Sequence, residues 1–144
     1  MSLPAAFWDS SALIPLCVLQ AQTARARALY KNLGIVVWWA TPVEIISGLT
    51  RLERMGDIGR DQLLIARKRA RELADIWASL SPSSITLTQA CSLLEAHPLR
   101  AADALQLAAA LEACEQEPHG YVFVTADQRL AQAARQIGFS VEFI

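Results

Sequence analysis

Four short β-prone runs are spaced along this chain, with helix-length sequence between them. They are A-A-F-W-D at Ala5 to Asp9, I-V-V-W-W at Ile35 to Trp39, G-Y-V-F-V-T at Gly120 to Thr125, and F-S-V-E-F-I at the end. A fifth and very short one, I-T-L, falls at Ile85 to Leu87. Runs rich in Val, Ile, Phe and Trp suit buried strands. Strands that alternate with helices favour a mainly parallel sheet covered on both faces and joined by right-handed crossovers. That one pattern excludes sandwiches, simple bundles and fibrous folds.

The intervening sequence reads as helix. Ser10 or Ser11 is placed to cap a helix reaching about Lys31, with Pro15 in its first turn. Gly34 follows as the exit. In T-P-V-E, Thr41 reads as a cap and Pro42 as the first helical residue of a helix to about Met55. After Gly56 and Gly59, a second long helix is expected over roughly Asp61 to Ser79. S-P-S-S at Ser81 to Ser84 reads as a turn. A helix over Thr88 to Ala96 is expected to stop at His97-Pro98. The alanine-rich A-A-D-A-L-Q-L-A-A-A-L-E-A is strong helix material. Asp127 opens a last helix reaching about Gln136, and Gly138 leads into the final strand. No repeat or flexible linker divides the chain. The expectation is a single domain over residues 1–144, with a helical excursion at about 41–79.

In parallel α/β sheets, ligands collect beyond the carboxyl ends of the strands. Three carboxylates fall there. Asp9 ends the first strand, Glu44 lies one turn into the helix after the second, and Asp127 follows V-F-V-T. Asp103 is the only carboxylate between Pro98 and Leu111. Each has an ordinary explanation. Glu44 can complete a T-x-x-E capping box. Asp127 can be a helix cap. Asp9 can close a turn with Ser10 and Ser11. Asp103 can sit on the surface, although it borders the packing stripe of Ala104, Leu107, Ala108 and Leu111 and looks late for a cap. Together the four point elsewhere. Carboxylates gathered in one site repel each other and resist burial, and a divalent cation removes both problems. An all-oxygen donor set suits Mg²⁺ or Mn²⁺ better than zinc. Such an ion among carboxylates commonly serves phosphate chemistry.

Composition narrows the rest. Thirteen Lys and Arg against 14 Asp and Glu leave a net charge of -1, so the molecule as a whole is not a basic nucleic-acid glue. Local basic clusters occur at Arg67, Lys68, Arg69 and Arg71, and at Arg25, Arg27 and Lys31. They read as solvated helix faces or as contacts for phosphates. Cys17, Cys91 and Cys114 form no C-x-x-C and read as buried free thiols of a reducing compartment, not a disulfide framework or a zinc site. His97 and His119 sit at helix boundaries, and the metal-based chemistry needs neither as a base. The apolar N-terminus lacks a basic region and does not read as a signal peptide. No convincing membrane span is present.

The stretches F-W-D-S-S-A-L-I-P-L, T-P-V-E, L-R-A-A-D-A-L-Q-L-A-A-A and F-V-T-A-D-Q-R-L-A-Q-A-A resemble, in order and spacing, those of the PIN-domain family. The similarity is greatest to its VapC-type ribonuclease toxins of toxin–antitoxin pairs, and it covers Phe7 to Ala134. The resemblance implies a three-layer α/β/α domain around a mainly parallel sheet. It matches Asp9, Glu44, Asp103 and Asp127 to the family's acidic quartet, which is both catalytic and the holder of Mg²⁺ or Mn²⁺. It matches Ser10, Arg100 and Thr125 to accompanying residues that support the metal site or contact substrate. Trp38-Trp39 is bulkier than usual for the family at the second strand end. The implied activity is metal-dependent endoribonuclease cleavage by a cytoplasmic toxin, with RNA as substrate, a cognate antitoxin as partner and a homodimer as assembly. Trp8, Trp38, Trp39 and Trp77 belong either to such interfaces or to the core. Two other readings remain open on the residues alone: a non-catalytic interaction module on the same fold, and a housekeeping RNA-processing nuclease without an antitoxin.

Overall fold

A computed structural model describes residues 2–144. Its strands are β1 (Ala5–Trp8), β2 (Gly34–Trp38), β3 (Ala78–Leu80), β4 (Val122–Thr125) and β5 (Ser140–Phe143). They form one sheet in the order β3-β2-β1-β4-β5. Every neighbouring pair is parallel. The chain moves outward from β1 to β2 and β3, then crosses to β4 on the other side. β1 is therefore central, and the order of the strands reverses beside it. That reversal opens a crevice at the carboxyl end of β1.

Side chains alternate across the strands and divide the core in two. Ala6, Trp8, Val37 and Val124 face a layer made of α1 (Ser10–Cys17), α2 (Thr23–Tyr30), α3 (Thr41–Arg54) and α4 (Arg60–Ala74). Phe7, Trp38 and Phe123 face α5 (Ser84–Ala96), α6 (Ala101–Ala113) and α7 (Gln128–Ile137). The result is the three-layer α/β/α arrangement expected from the alternation. Phe7 and Phe123 are register partners on β1 and β4, and their rings stack with centroids 5.5 Å apart. α6 is buried around most of its circumference, which its run of alanines permits at close range.

Several local expectations are corrected. The helix foreseen from Ser10 to Lys31 is two helices, α1 and α2. Pro15 lies past the first turn of α1, where it lacks an N–H and crowds the preceding turn, and α1 stops at Cys17. Thr23 secures the break: its hydroxyl donates to the Pro15 carbonyl at 2.7 Å and accepts the Gln20 N–H at 2.8 Å. The helix foreseen to Ser79 ends at Ala74, and Ala78–Leu80 pairs with β2 as an edge strand. The pairing is long-range, so no local pattern announces it. Ile85 to Leu87 is the start of α5, not a strand. Ser83 caps that helix by accepting the Thr86 N–H at 3.2 Å, and the cap outweighs the β-branched residues that follow. The cap of α3 is Ala40, so Thr41 and Pro42 each lie one position further into the helix than foreseen.

Trp8 and Trp38 are core, Trp77 is half-buried, and Trp39 is 60% exposed. Cys17 is buried, and that burial pushes its thiol up to about 11. Cys91 is exposed, contrary to expectation. No helix among the described residues is long and apolar enough to cross a membrane.

Candidate active site

Asp9 follows the last residue of β1 and stands at the N-cap position of α1, yet its side chain makes no capping bond. The turn explanation for it is thus incomplete. Its carboxylate is 4% exposed and accepts the Ser11 hydroxyl at 2.7 Å. Ser11 Oγ also accepts the backbone N–H of Ala126 at 2.9 Å and lies 3.3 Å from Thr125 Oγ1. Thr125 in turn accepts the Asp127 N–H at 3.0 Å. These bonds lace the end of β1 to the end of β4. Burial pushes the Asp9 carboxyl up from 3.8 to about 7, against the Ser11 and Thr125 hydroxyls, with the charge of Asp127 adding to the rise.

Glu44 does not close the expected capping box. Its Oε2 instead accepts the Gln106 side-chain N–H at 2.7 Å, reaching from α3 to α6. Burial raises its carboxyl above the ordinary value; Gln106 opposes the shift, Asp103 adds to it and Ser10 opposes it. Gly48 of α3 faces α1: a Cβ there would meet Ile14 Cδ1, the far end of that side chain, which would have to shift.

Asp103 is not late in its helix. α6 starts at Ala101, so Asp103 is in the first turn, and its Oδ2 accepts the Arg100 backbone N–H at a long 3.4 Å. Burial raises its carboxyl too, with Asp127 adding to the rise and Arg100 and Arg129 opposing it. Asp127 is the N-cap of α7, as its ordinary explanation holds, with Oδ1 accepting the Leu130 N–H at 3.0 Å. Its second oxygen has no hydrogen-bond partner among the described residues.

All four carboxylates line one cavity of about 670 Å³ at the carboxyl end of the sheet. Ser10, Ser11, Ser47, Arg51, Arg54 and Arg100 line it with them. Arg100 and Ser10 are within reach of sequence reasoning, whereas Ser11 and Ser47 are not. Arg51 and Arg54 escape it; their i, i+3 spacing after Glu44 on one helix face is the available signal. The Arg67–Arg71 cluster is elsewhere. Arg67 and Arg71 border a groove of about 230 Å³ between α3 and α4, with Ile45, Ile46 and Trp77. Arg69 donates to the Cys17 carbonyl. Neither histidine lines the acidic cavity; His97 Nδ1 lies 3.1 Å from Gln136 Oε1.

Among the described residues, no ion pair engages any of the four acids. Nor do any three acidic, His or Cys side chains close a ready-made metal cage. The donor chemistry is nevertheless that of a hydrated hard cation. It is all oxygen, open enough to leave room for several waters, and it carries negative charge that no ion pair among the described residues offsets. Three of the acids are pushed toward the neutral form by burial, and nearby acids add to this, the condition a divalent cation relieves. The residues fit such an ion held partly through water.

The PIN domain family matches residues 6–136. Ribonuclease VapC45 and ribonuclease VapC49 of Mycobacterium tuberculosis are each 31% identical over 144 residues, covering 96% of this chain and 95% of theirs. VapBC2 from Rickettsia felis, solved bound to a DNA fragment from its promoter, has a chain of the same fold. Its TM-score is 0.64 at 10% identity, covering 96% of this chain and 98% of that one. The chain therefore belongs to the PIN-domain family and is related to the VapC-type toxins of toxin–antitoxin systems.

Proposed function

We propose that this chain is one nuclease domain over residues 1–144. It acts as the toxin of a toxin–antitoxin pair and hydrolyses RNA phosphodiesters with Mg²⁺ or Mn²⁺. The observation that carries this reading is the meeting of Asp9, Glu44, Asp103 and Asp127 in one cavity, with no ion pair to any of them among the described residues. A bound divalent cation supplies a water of lowered pKa and neutralises charge on the phosphate. Asp9 and Asp103 are the main candidates to hold it. Glu44 and Asp127 would bind it directly or through its waters, or would orient the attacking water. Ser11 and Thr125 keep the Asp9 carboxylate oriented, and Ser10 supports Glu44. Arg51, Arg54 and Arg100 rim the same cavity, where they meet phosphates flanking the scissile bond. Water is the nucleophile, so the chemistry alone does not choose RNA over DNA. The choice of RNA rests on the two ribonucleases to which the chain is similar.

The cognate partner is an antitoxin protein, on the strength of the same kinship. The apolar groove between α3 and α4, flanked by Arg67 and Arg71, suits a helix with one apolar and one acidic face. A homodimer and a cytoplasmic setting complete the reading.

The test is cleavage of total RNA by the full-length protein, purified with and without the product of the neighbouring gene. Cleavage that requires Mg²⁺ or Mn²⁺, stops in EDTA and is suppressed by the co-purified partner is the expected result. Cleavage that persists in EDTA, or in an Asp103→Asn protein, rejects the metal mechanism. Absence of any cleavage by well-folded protein leaves the non-catalytic interaction module as the better description.

A further inference from the structure

Gln106 lies on α6, one turn after Asp103, and is 1% exposed among Ala104, Leu107 and the helix's other apolar residues. A primary amide in such a place is costly unless its polar atoms are bonded. Only one side of it is. Nε2 donates to Glu44 Oε2 at 2.7 Å and reaches Thr41 Oγ1 at 3.5 Å, while Oε1 is buried with no partner among the described residues. An apolar side chain of equal length would pack there without the orphaned oxygen. The glutamine does one thing such a residue does not: it grips the Glu44 carboxylate.

Among the described residues Glu44 forms no ion pair, and the Gln106 amide is the closest group holding its carboxylate, with the Ser10 hydroxyl as a lesser second. The amide's orientation is determined as well, because turning it over would set two acceptor oxygens against each other. The grip spans two helices. Asp103 and Gln106 share one face of α6 at i, i+3 spacing, and Thr41 and Glu44 share one face of α3 in the same way. The helix that carries one acid therefore also holds the acid of its neighbour.

We propose that Gln106 is a positioning residue that fixes the Glu44 carboxylate at the acidic cavity, in register with Asp103. This rests on the nuclease reading for its catalytic consequence, but not for the contact itself. The decisive variant is Gln106→Met, which keeps length and apolar fit and removes the donor. In full-length protein it is expected to fold with an undiminished melting temperature, since an unpartnered buried oxygen is gone. Calorimetric titration should show Mn²⁺ binding weakened about tenfold, in line with the loss of an outer hydrogen-bond partner of a ligand. On an RNA oligonucleotide, kcat should fall by a similar factor while KM stays within about twofold. A folded Gln106→Met protein with wild-type Mn²⁺ affinity and kcat overturns the proposal.

A second readout is independent of activity. In ¹⁵N–¹H spectra of metal-free wild type, the Gln106 side-chain amide should exchange slowly and shift markedly in Glu44→Ala. If wild type neither binds Mn²⁺ nor cuts RNA, the nuclease reading fails. The amide signal then still decides the contact: a shift in Glu44→Ala supports it, and an unmoved signal overturns it.

Discussion

The Ser11 hydroxyl donates to Asp9 Oδ1 across 2.7 Å, and the same Ser11 oxygen accepts the Ala126 N–H from the far side of the crevice. One small side chain thus orients the most buried acid of the cavity and ties β1 to the segment after β4. The bond holds the ionised form of a carboxyl that burial pushes toward neutrality.

That opposition sets the pH dependence of the metal-free protein. Asp9 titrates near 3.8 when unfolded and at about 7 when folded, chiefly because of burial. Between those values the folded chain binds a proton that the unfolded chain has lost. Stability therefore falls as pH rises through the window, by on the order of a few kcal/mol. Glu44 and Asp103, also raised, act with the same sign. Thermal melts in EDTA should show a lower Tm at pH 8 than at pH 5, and Asp9→Asn should flatten much of that difference. A wild-type Tm that climbs over this range contradicts the burial of Asp9.

Asp103→Asn preserves an oxygen to accept the Arg100 N–H, so α6 should still start at Ala101. Its RNA cleavage should fall by at least about 100-fold, the upper end of what outer-partner losses cause, because the proposed mechanism makes Asp103 a direct cation ligand. Circular dichroism and a melt separate this from misfolding. Residual cleavage near the wild-type rate would remove Asp103 from the mechanism.

Arg51 and Arg54 should act on substrate, not on chemistry. Replacing both with Ala is expected to raise KM for RNA with little change in kcat. For single-stranded RNA, the slope of log affinity against log salt should shrink by about 0.7 for each phosphate that is no longer neutralised. Arg67→Ala with Arg71→Ala is the contrast. That pair should leave cleavage unchanged and weaken capture of the antitoxin, as a pull-down with the co-expressed partner would reveal.

Gly138 terminates α7 with φ of +119° and turns the chain into β5. An added Cβ would meet only Pro118 Cγ at ordinary contact, so the cost of Gly138→Ala is conformational. Destabilisation of about 1–2 kcal/mol is expected, with cleavage per folded molecule unchanged. Urea unfolding measures the first quantity and initial rates below the transition measure the second.

Much of the fold is legible locally. V-F-V-T followed by Asp127 announces a strand and a capped helix, and both occur. The same holds for I-V-V-W and the helix opened by T-P-V-E, to within a residue. These signals are short-range: side-chain shape, a proline's locked φ, a carboxylate next to free N–H groups. The departures come where a distant partner decides. β3 is a strand because β2 offers an unpaired edge. α1 ends early because Thr23 folds back on the Pro15 carbonyl.

The site divides along the same line. Sequence by itself determined that Asp9, Glu44 and Asp127 stand at strand ends and helix starts, since each position follows from the element beside it; the place of Asp103 in the first turn of α6 waited for the structure. Tertiary structure decided that they share a cavity, because that depends on β1 pairing with β2 on one side and β4 on the other. It also decided that Ser11 as well as Ser10 serves the site, that Arg51 and Arg54 rim it, and that Gln106 grips an acid 62 residues away. Such contacts form only once sheet pairing and helix packing bring distant segments within a few ångströms, and no local periodicity encodes that approach.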